Sequence, residues 1–136
     1  MPQVNALDHL VLTVADIDAT IAFYRDALGM VAEPFHPVDG STRWALKFGC
    51  HKINLHVAGA EFDPRAARAL PGTADLCFLT QVPLAEWQAH LAREGVEVLD
   101  GPVARTGATG PITSIYVRDP DGNKLQAVCH SAKGGA

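Results

Sequence analysis

The chain lacks an excess of basic residues. Its 136 residues include 11 Lys and Arg against 15 Asp and Glu, which gives a formal net charge of −4. Binding to the phosphate backbone of a nucleic acid needs clustered basic side chains, so we expect no nucleic-acid partner. The chain also lacks any apolar run near the roughly 20 residues that cross a bilayer, so we expect no membrane partner.

Cysteine is also scarce. The three residues Cys50, Cys77 and Cys129 are odd in number and form no Cys-x-x-Cys pair. This pattern argues against a disulfide framework and against a zinc ribbon. The N-terminal residues MPQVNALDHLV also lack the basic region and small-residue cleavage site of a secretory signal. We therefore expect a cytoplasmic protein.

The chain does contain ample apolar material for a core, with 48% hydrophobic and 19% charged residues. Such a composition excludes disorder as the main state. Its length lies within the roughly 100–150 residues that are usual for one domain. We therefore predict a single globular domain over residues 1–136.

A weak internal repeat divides that domain. Residues 9–29, HLVLTVADIDATIAFYRDALG, align without gaps on residues 75–95, DLCFLTQVPLAEWQAHLAREG, at an offset of 66. Each segment has an apolar run, a short break, an amphipathic stretch and a final glycine, which predicts a strand followed by a helix. Further along, KINL at 52–55 aligns on KLQA at 124–127 at an offset of 72.

The predicted fold is α+β, with two βαβββ modules at about 6–60 and 73–130. We expect the modules to form one cupped, eight-stranded mixed sheet with the helices on its outer face. The Gly-, Pro-, Ser- and Thr-rich stretches 34–42 and 101–111 are predicted as loops, and 131–136 as a flexible tail. The predicted elements are the strand 7–14, a helix from 16 or 17 to 28, a second helix that ends at 95, and the strands 44–48, 53–57, 112–118 and 124–128.

Alternation along these strands separates an apolar face from a polar one. A face exposed only to solvent more often carries Lys and Glu, whereas this polar set suits a cavity that holds a small molecule or an ion. A plain solvated face is the alternative. The polar set comprises His9, Thr13, Asn54, His56, Asp75, Ser114, Tyr116, Arg118 and Gln126.

The repeat makes positions 9 and 75 equivalent, and likewise positions 54 and 126. Two modules related by a twofold axis would bring these four positions together. Four polar side chains from four strands is a geometry that suits a metal site.

The segments LDHLVLTVADIDATIAFYRDALGM and GPITSIYVRDPDGNKLQAV resemble the two ends of a single-domain member of the vicinal oxygen chelate superfamily. That superfamily includes glyoxalase I, fosfomycin-resistance thiol transferases, extradiol dioxygenases and bleomycin-resistance proteins. The NLH and RTGATGPI elements are similar to the subgroup of glyoxalase domain-containing protein 5. The resemblance extends from about Leu7 to Val128 and implies paired βαβββ modules, a homodimer and a divalent metal in the cup.

The resemblance also implies a ligand set. Metal-binding members place His or Glu at the positions that match His9, Asn54, Asp75 and Gln126 here, so only His9 keeps a strong ligand type. His56 lies two residues beyond Asn54 on the same face and can substitute for it. The expected metal ligands are therefore His9, His56, Asp75 and Gln126. The expected metal is Mn, Fe, Ni or Zn, and the alternative is that no metal binds.

By the same resemblance, the metal would hold two neighbouring oxygens of a small substrate. Tyr116 and Arg118 are then the predicted catalytic residues, and Asn54, Ser114 and Arg105 the predicted substrate-binding residues. The main hypothesis is a metal-dependent lyase, isomerase or dioxygenase. The alternative is a protein of the bleomycin-resistance type that binds and sequesters a small molecule without catalysis, and the missing carboxylates favour it.

Overall fold

The structure is a computed structural model that describes residues 1–130, and the predicted tail at 131–136 lies outside these described residues. The chain divides into two compact units, with the boundary between Pro71 and Gly72. We call residues 1–71 module one and residues 72–130 module two. Within the described part of the chain, no helix is long and apolar enough to cross a membrane.

Both modules have the predicted βαβββ order, which confirms the α+β fold. The strand order is β1-β4-β3-β2 in one sheet and β5-β8-β7-β6 in the other, with β1–β4 and β5–β8 as parallel pairs. Module one contains β1 (His9–Val14), α1 (Ile17–Asp26), β2 (Val31–Phe35), β3 (Arg43–Phe48) and β4 (His51–Val57). Module two contains β5 (Asp75–Leu79), α2 (Leu84–Arg93), β6 (Asp100–Gly107), β7 (Gly110–Arg118) and β8 (Lys124–His130).

Helix α1 begins and ends where its local chemistry predicts. The side chain of Asp16 accepts a hydrogen bond from the backbone N–H of Ala19, which satisfies one of the unpaired donors of the first turn. Gly29 follows the helix with a φ of +72°, and its N–H donates to the carbonyl of Arg25. Tyr24 is fully buried on the inner face of this helix.

The prediction that 101–111 forms a loop is wrong except at Ala108 and Thr109, which form a turn, because the other residues belong to β6 and to the start of β7. The strand β6 lies at the edge of its sheet and pairs with β7 alone, with an irregular register between Asp100 and Val103. Proline and glycine are tolerated at such an edge, since no second neighbour needs the missing hydrogen bonds. The same reason explains why Pro34, which lies in the predicted loop 34–42, belongs to the edge strand β2.

The core of each module lies on the apolar faces of its strands. In module one, Val14, Leu46 and Ile53 are completely buried. In module two, Ile115 and Leu125 are each 1% exposed. These apolar positions fix the opposite residues of the same strands onto the other face, where the candidate site lies.

Candidate functional site

The parallel strand pairs of the two modules have the same register. His9 pairs with Lys52 in module one, as Asp75 pairs with Lys124 in module two. Two positions further on, Val11 pairs with Asn54 and Cys77 pairs with Gln126. Each module therefore places its two predicted metal positions, 9 and 54 or 75 and 126, as diagonal neighbours on one face.

In module one, the imidazole of His9 is oriented by its neighbour in sequence. His9 Nδ1 donates to Asp8 Oδ2 across 2.7 Å. This hydrogen bond, together with the charge of the imidazole, lowers the pKa of the Asp8 carboxyl. A carboxylate bound to one ring nitrogen is the usual way in which proteins orient a histidine whose other nitrogen binds a ligand.

Asn54 presents a buried acceptor beside this histidine. Its Oδ1 has no hydrogen-bond partner among the residues that the structure describes. A buried amide oxygen without a partner carries a desolvation cost, so a donor at this position would be stabilising. The prediction that Asn54 binds substrate has this feature in its favour.

The predicted pairing of His9 and His56 on one ion does not fit the register. His56 lies opposite Thr13, four positions along the strand from His9. At roughly 3.3 Å per residue this is about 13 Å, whereas two nitrogens on one tetrahedral zinc ion are only about 3.3 Å apart. Side chains that stand perpendicular to the sheet cannot close that distance.

His56 has a separate environment in module one. It is buried, and the ring of Phe62 packs edge-on against it at 5.5 Å between centroids. Burial lowers the pKa of His56, the positive charge of Arg43 lowers it further, and the carboxylate of Glu61 opposes both. His56 also lines a cavity of about 230 Å³ whose other residues are Val11, Thr13, Pro64, Arg65, Ala66 and Ala69.

In module two, both predicted metal ligands already have protein partners. Asp75 Oδ2 lies 3.1 Å from Lys124 Nζ, in a partly exposed ion pair. Gln126 Nε2 donates to the hydroxyl of Ser114 across 2.7 Å, and Ser114 is completely buried. The predicted substrate-binding residue Ser114 thus acts on Gln126, whose amide it orients.

The predicted catalytic residues Tyr116 and Arg118 are not brought together. Arg105 Nε donates to the hydroxyl of Tyr116 across 3.0 Å, while Arg118 donates to the carbonyl of Gly122 in the following turn. Sequence reasoning also missed Lys124, whose Nζ lies 5.3 Å from the centroid of the Tyr116 ring. The alignment of KINL on KLQA contained that signal, since it makes Lys124 equivalent to Lys52 at a strand start.

Module two encloses a larger cavity of about 390 Å³ on this face. Leu79, Ile112 and Val128 give it an apolar wall, and Gln126 and His130 contribute polar groups. Desolvation raises the pKa of the Cys77 thiol in the same wall, and the charge of Asp75 raises it further. The remaining lining residues, Cys77, Thr106, Gly107, Ala108 and Thr109, come from β5 and from the end of the β6–β7 hairpin.

The residues present within each module do not complete a metal centre. Among residues 1–130, no group of three or more His, Cys, Asp or Glu is arranged to hold an ion. Module one offers one imidazole, His9, and one neutral amide, Asn54. Module two offers Asp75, which pairs with Lys124, and the neutral amide of Gln126. Neutral amide oxygens bind transition metals poorly, so neither set fits a resident ion by itself.

Comparison with known proteins identifies the family. The model of the Glyoxalase/Bleomycin resistance protein/Dioxygenase superfamily matches residues 6–127. The chain belongs to this superfamily. This confirms the resemblance seen in the sequence.

Three proteins illustrate the similarity to other superfamily members. The virulence protein STM3117 of Salmonella typhimurium is 50% identical over 123 residues, which cover 90% of this chain and 83% of that protein. The glyoxalase domain-containing protein RDO1 of Mycosarcoma maydis is 52% identical over 124 residues, covering 91% and 68%. The solved structure of VPC_CASS1, from the mobile metagenome of V. Pseudocholerae, has a TM-score of 0.91 at 49% identity and covers 97% of this chain and 99% of that one.

Members of the superfamily often use divalent metals, bind small molecules and act as dimers. Membership does not assign one reaction to this chain, because one fold hosts many functions. The metal, the homodimer and the roles of the individual site residues therefore stay predictions for this superfamily member.

Proposed function

We propose that this superfamily member binds a small, mainly apolar molecule in the module-two cavity, without catalysis by a resident metal. The observation that carries the proposal is the cavity of about 390 Å³ with its apolar wall of Leu79, Ile112 and Val128. Ligand pockets are typically about 300–1,000 Å³, mostly apolar, with few polar groups that fix orientation. Gln126, oriented by Ser114, is such a polar group.

The chemistry of the lining favours binding over covalent catalysis. The raised pKa of Cys77 keeps its thiol protonated at neutral pH, and the thiolate is the nucleophilic form. Gln126 is neutral and neither donates nor accepts a proton in general acid–base catalysis. Cys77 and Gln126 can orient a bound molecule, and they supply no activated nucleophile. The imidazole of His130 is the group in this wall that has acid–base capacity.

The proposal can be tested with indole, a neutral aromatic probe, and a variant that places a charge at the cavity wall. Leu79 lines the cavity and is 69% exposed, so Leu79→Glu introduces a carboxylate without disturbing the core. We expect ligand-observed NMR to show indole binding to the natural chain and at least a tenfold weaker interaction with the variant. A tenfold loss corresponds to about 1.4 kcal/mol.

Val82→Glu is the matched control for this experiment. Val82 is exposed and does not line the cavity, so this variant should bind indole as the natural chain does. Circular dichroism of all three proteins checks that the fold is retained. Absence of indole binding, or equal binding by the Leu79→Glu variant, would contradict the proposed function.

A metal-dependent lyase, isomerase or dioxygenase is the second candidate. The hydrogen bond between His9 and Asp8 favours it, since it resembles the carboxylate–histidine pair that supports a metal ligand. Metal analysis of protein purified without chelators or affinity metals should then find stoichiometric Mn, Fe, Ni or Zn that is lost in His9→Ala and in Asp75→Ala. His36→Ala, at an exposed position, is the control. Metal-free protein that none of these ions stabilises would argue against this candidate.

A further inference from the structure

A pair of cationic side chains flanks one aromatic residue of module two. The guanidinium of Arg105 lies 5.6 Å from the centroid of the Tyr116 ring, and its Nε donates to the Tyr116 hydroxyl across 3.0 Å. The Nζ of Lys124 lies 5.3 Å from the same centroid. Two cations thus lie near one tyrosine ring, and the tyrosine hydroxyl accepts a hydrogen bond from one of them.

This cluster adjoins the module-two cavity. Tyr116 is the register partner of Gln126, which lines the cavity. Arg105 is the register partner of Ile112 and precedes Thr106, both of which line it as well. A molecule whose body fills the cavity therefore has the cluster at one end.

Arg105 Nη1 donates to the carbonyl of Ala104 across 2.9 Å, which leaves the second Nη1 hydrogen and the Nη2 group for an incoming anion. Arg105 Nη2 lies 3.8 Å from Asp100 Oδ2, and Lys124 Nζ lies 3.1 Å from Asp75 Oδ2. Each of these side chains is more than two-fifths exposed, so solvent screens both ion pairs and their contribution is small. A carboxylate that accepts two parallel hydrogen bonds from a guanidinium is a stronger partner than such a pair.

We propose that the ligand of module two is an amphipathic acid. Its apolar body occupies the cavity, and its carboxylate is held by Arg105, with Lys124 and the Tyr116 hydroxyl beside it. This inference rests on the proposed function and adds the chemical class of the ligand. Arg105 is then the residue that determines specificity for an acid over its neutral analogue.

The experiment compares indole-3-acetate with its neutral analogue indole-3-acetamide by isothermal titration calorimetry. A hydrogen bond to a charged group is stronger than one to a neutral group, so we expect the acid to bind about 10-fold to 150-fold more tightly than the amide. In Arg105→Gln this preference should fall close to unity, because the acid should lose much more affinity than the amide does. In Tyr116→Phe, which keeps the ring, the preference should fall only a few-fold.

Arg68→Gln serves as the matched control, because Arg68 is an exposed arginine of module one. It should retain the full preference for the acid. Equal binding of acid and amide to the natural chain would overturn the inference and leave the proposed function intact. A preference that survives in Arg105→Gln would overturn the assignment to Arg105. Failure of both indole derivatives and of indole itself to bind would overturn the inference and the proposed function together.

Discussion

The two modules carry a cavity at equivalent places on their sheets, and the side chains that line these cavities differ in chemistry. Residues of the first strand align between the modules at an offset of 66, and residues of the last strand at an offset of 72. The aligned residues that border the cavities differ between the modules. The aligned pairs that line the two cavities are Val11 and Cys77, Thr13 and Leu79, and His56 and Val128. The module-one cavity is about 230 Å³ with His56 in its wall, whereas the module-two cavity is about 390 Å³ with Val128 at the equivalent position.

The segments that border these cavities differ as well. In module one, Pro64, Arg65, Ala66 and Ala69 come from the connection after β4. In module two, the end of the β6–β7 hairpin takes that place. The repeated strand register thus sets where a cavity lies, and the residues added around it set what the cavity binds. Two βαβββ units with the same strand arrangement can in this way have cavities that bind different molecules.

The largest effects should come from the cores, where the modules are most alike. Ile53 and Leu125 occupy equivalent positions and are 0% and 1% exposed. Ile53→Ala and Leu125→Ala should each lower the free energy of unfolding by about 3 kcal/mol, since each leaves a cavity in a packed core. Urea unfolding followed by circular dichroism measures both values.

Val31→Ala provides the control for this pair, because Val31 is a strand residue of module one that is 58% exposed. It should change the free energy of unfolding by less than about 0.5 kcal/mol. A cost below about 1 kcal/mol for either core variant would break the equivalence of the two modules, since cores packed alike lose similar free energy.

Smaller effects on the free energy of unfolding should distinguish Asn54 from Gln126. These two residues occupy equivalent register positions but differ in their hydrogen bonds. Gln126→Leu leaves the completely buried Ser114 without its amide partner and should cost about 1–2 kcal/mol. Asn54→Leu removes a buried oxygen whose desolvation no hydrogen bond from the described residues offsets, so it should raise the free energy of unfolding by about 1 kcal/mol. Thermal unfolding of both variants gives the comparison, and an equal cost for the two would contradict it.

The sequence predicts most of the fold because alternation and capping are local signals. The start of α1 at Ile17 and the glycine that follows this helix both occur as predicted. The edge strands were missed since Pro34 and Pro102 are local signals for a loop. Only the sheet order, which is a tertiary property, shows that these prolines lie where no second neighbour requires a hydrogen bond.

The candidate site was predicted less completely, because alternation gives the face of a residue and not its distance from another. His9 and His56 share a face, yet the register separates them by four positions. Arg118 shares a face with Tyr116, yet it bonds to the turn at Gly122. Which side chains bond to each other depends on how far each side chain extends and on charged residues of neighbouring strands, such as Lys124.

The smallest effect concerns pH and belongs to module one alone, because Val128 replaces His56 in module two. Burial and the charge of Arg43 lower the pKa of His56 below its ordinary value of 6.5, against the opposing charge of Glu61. Below that value the unfolded chain binds a proton that the folded chain does not, so stability falls as pH falls. Above it both states are neutral at this position, and the contribution is complete.

His56→Val places the module-two residue in module one and removes this titration. Between about pH 7.5 and about pH 5.5, the free energy of unfolding of the natural chain should therefore fall more than that of the variant. His36→Val is the control, because His36 is exposed and its replacement should leave the pH dependence unchanged. Urea unfolding at both pH values measures the difference. An equal fall in the natural chain and in His56→Val would mean that folding does not lower the pKa of His56, and the difference in titration between positions 56 and 128 would then be wrong.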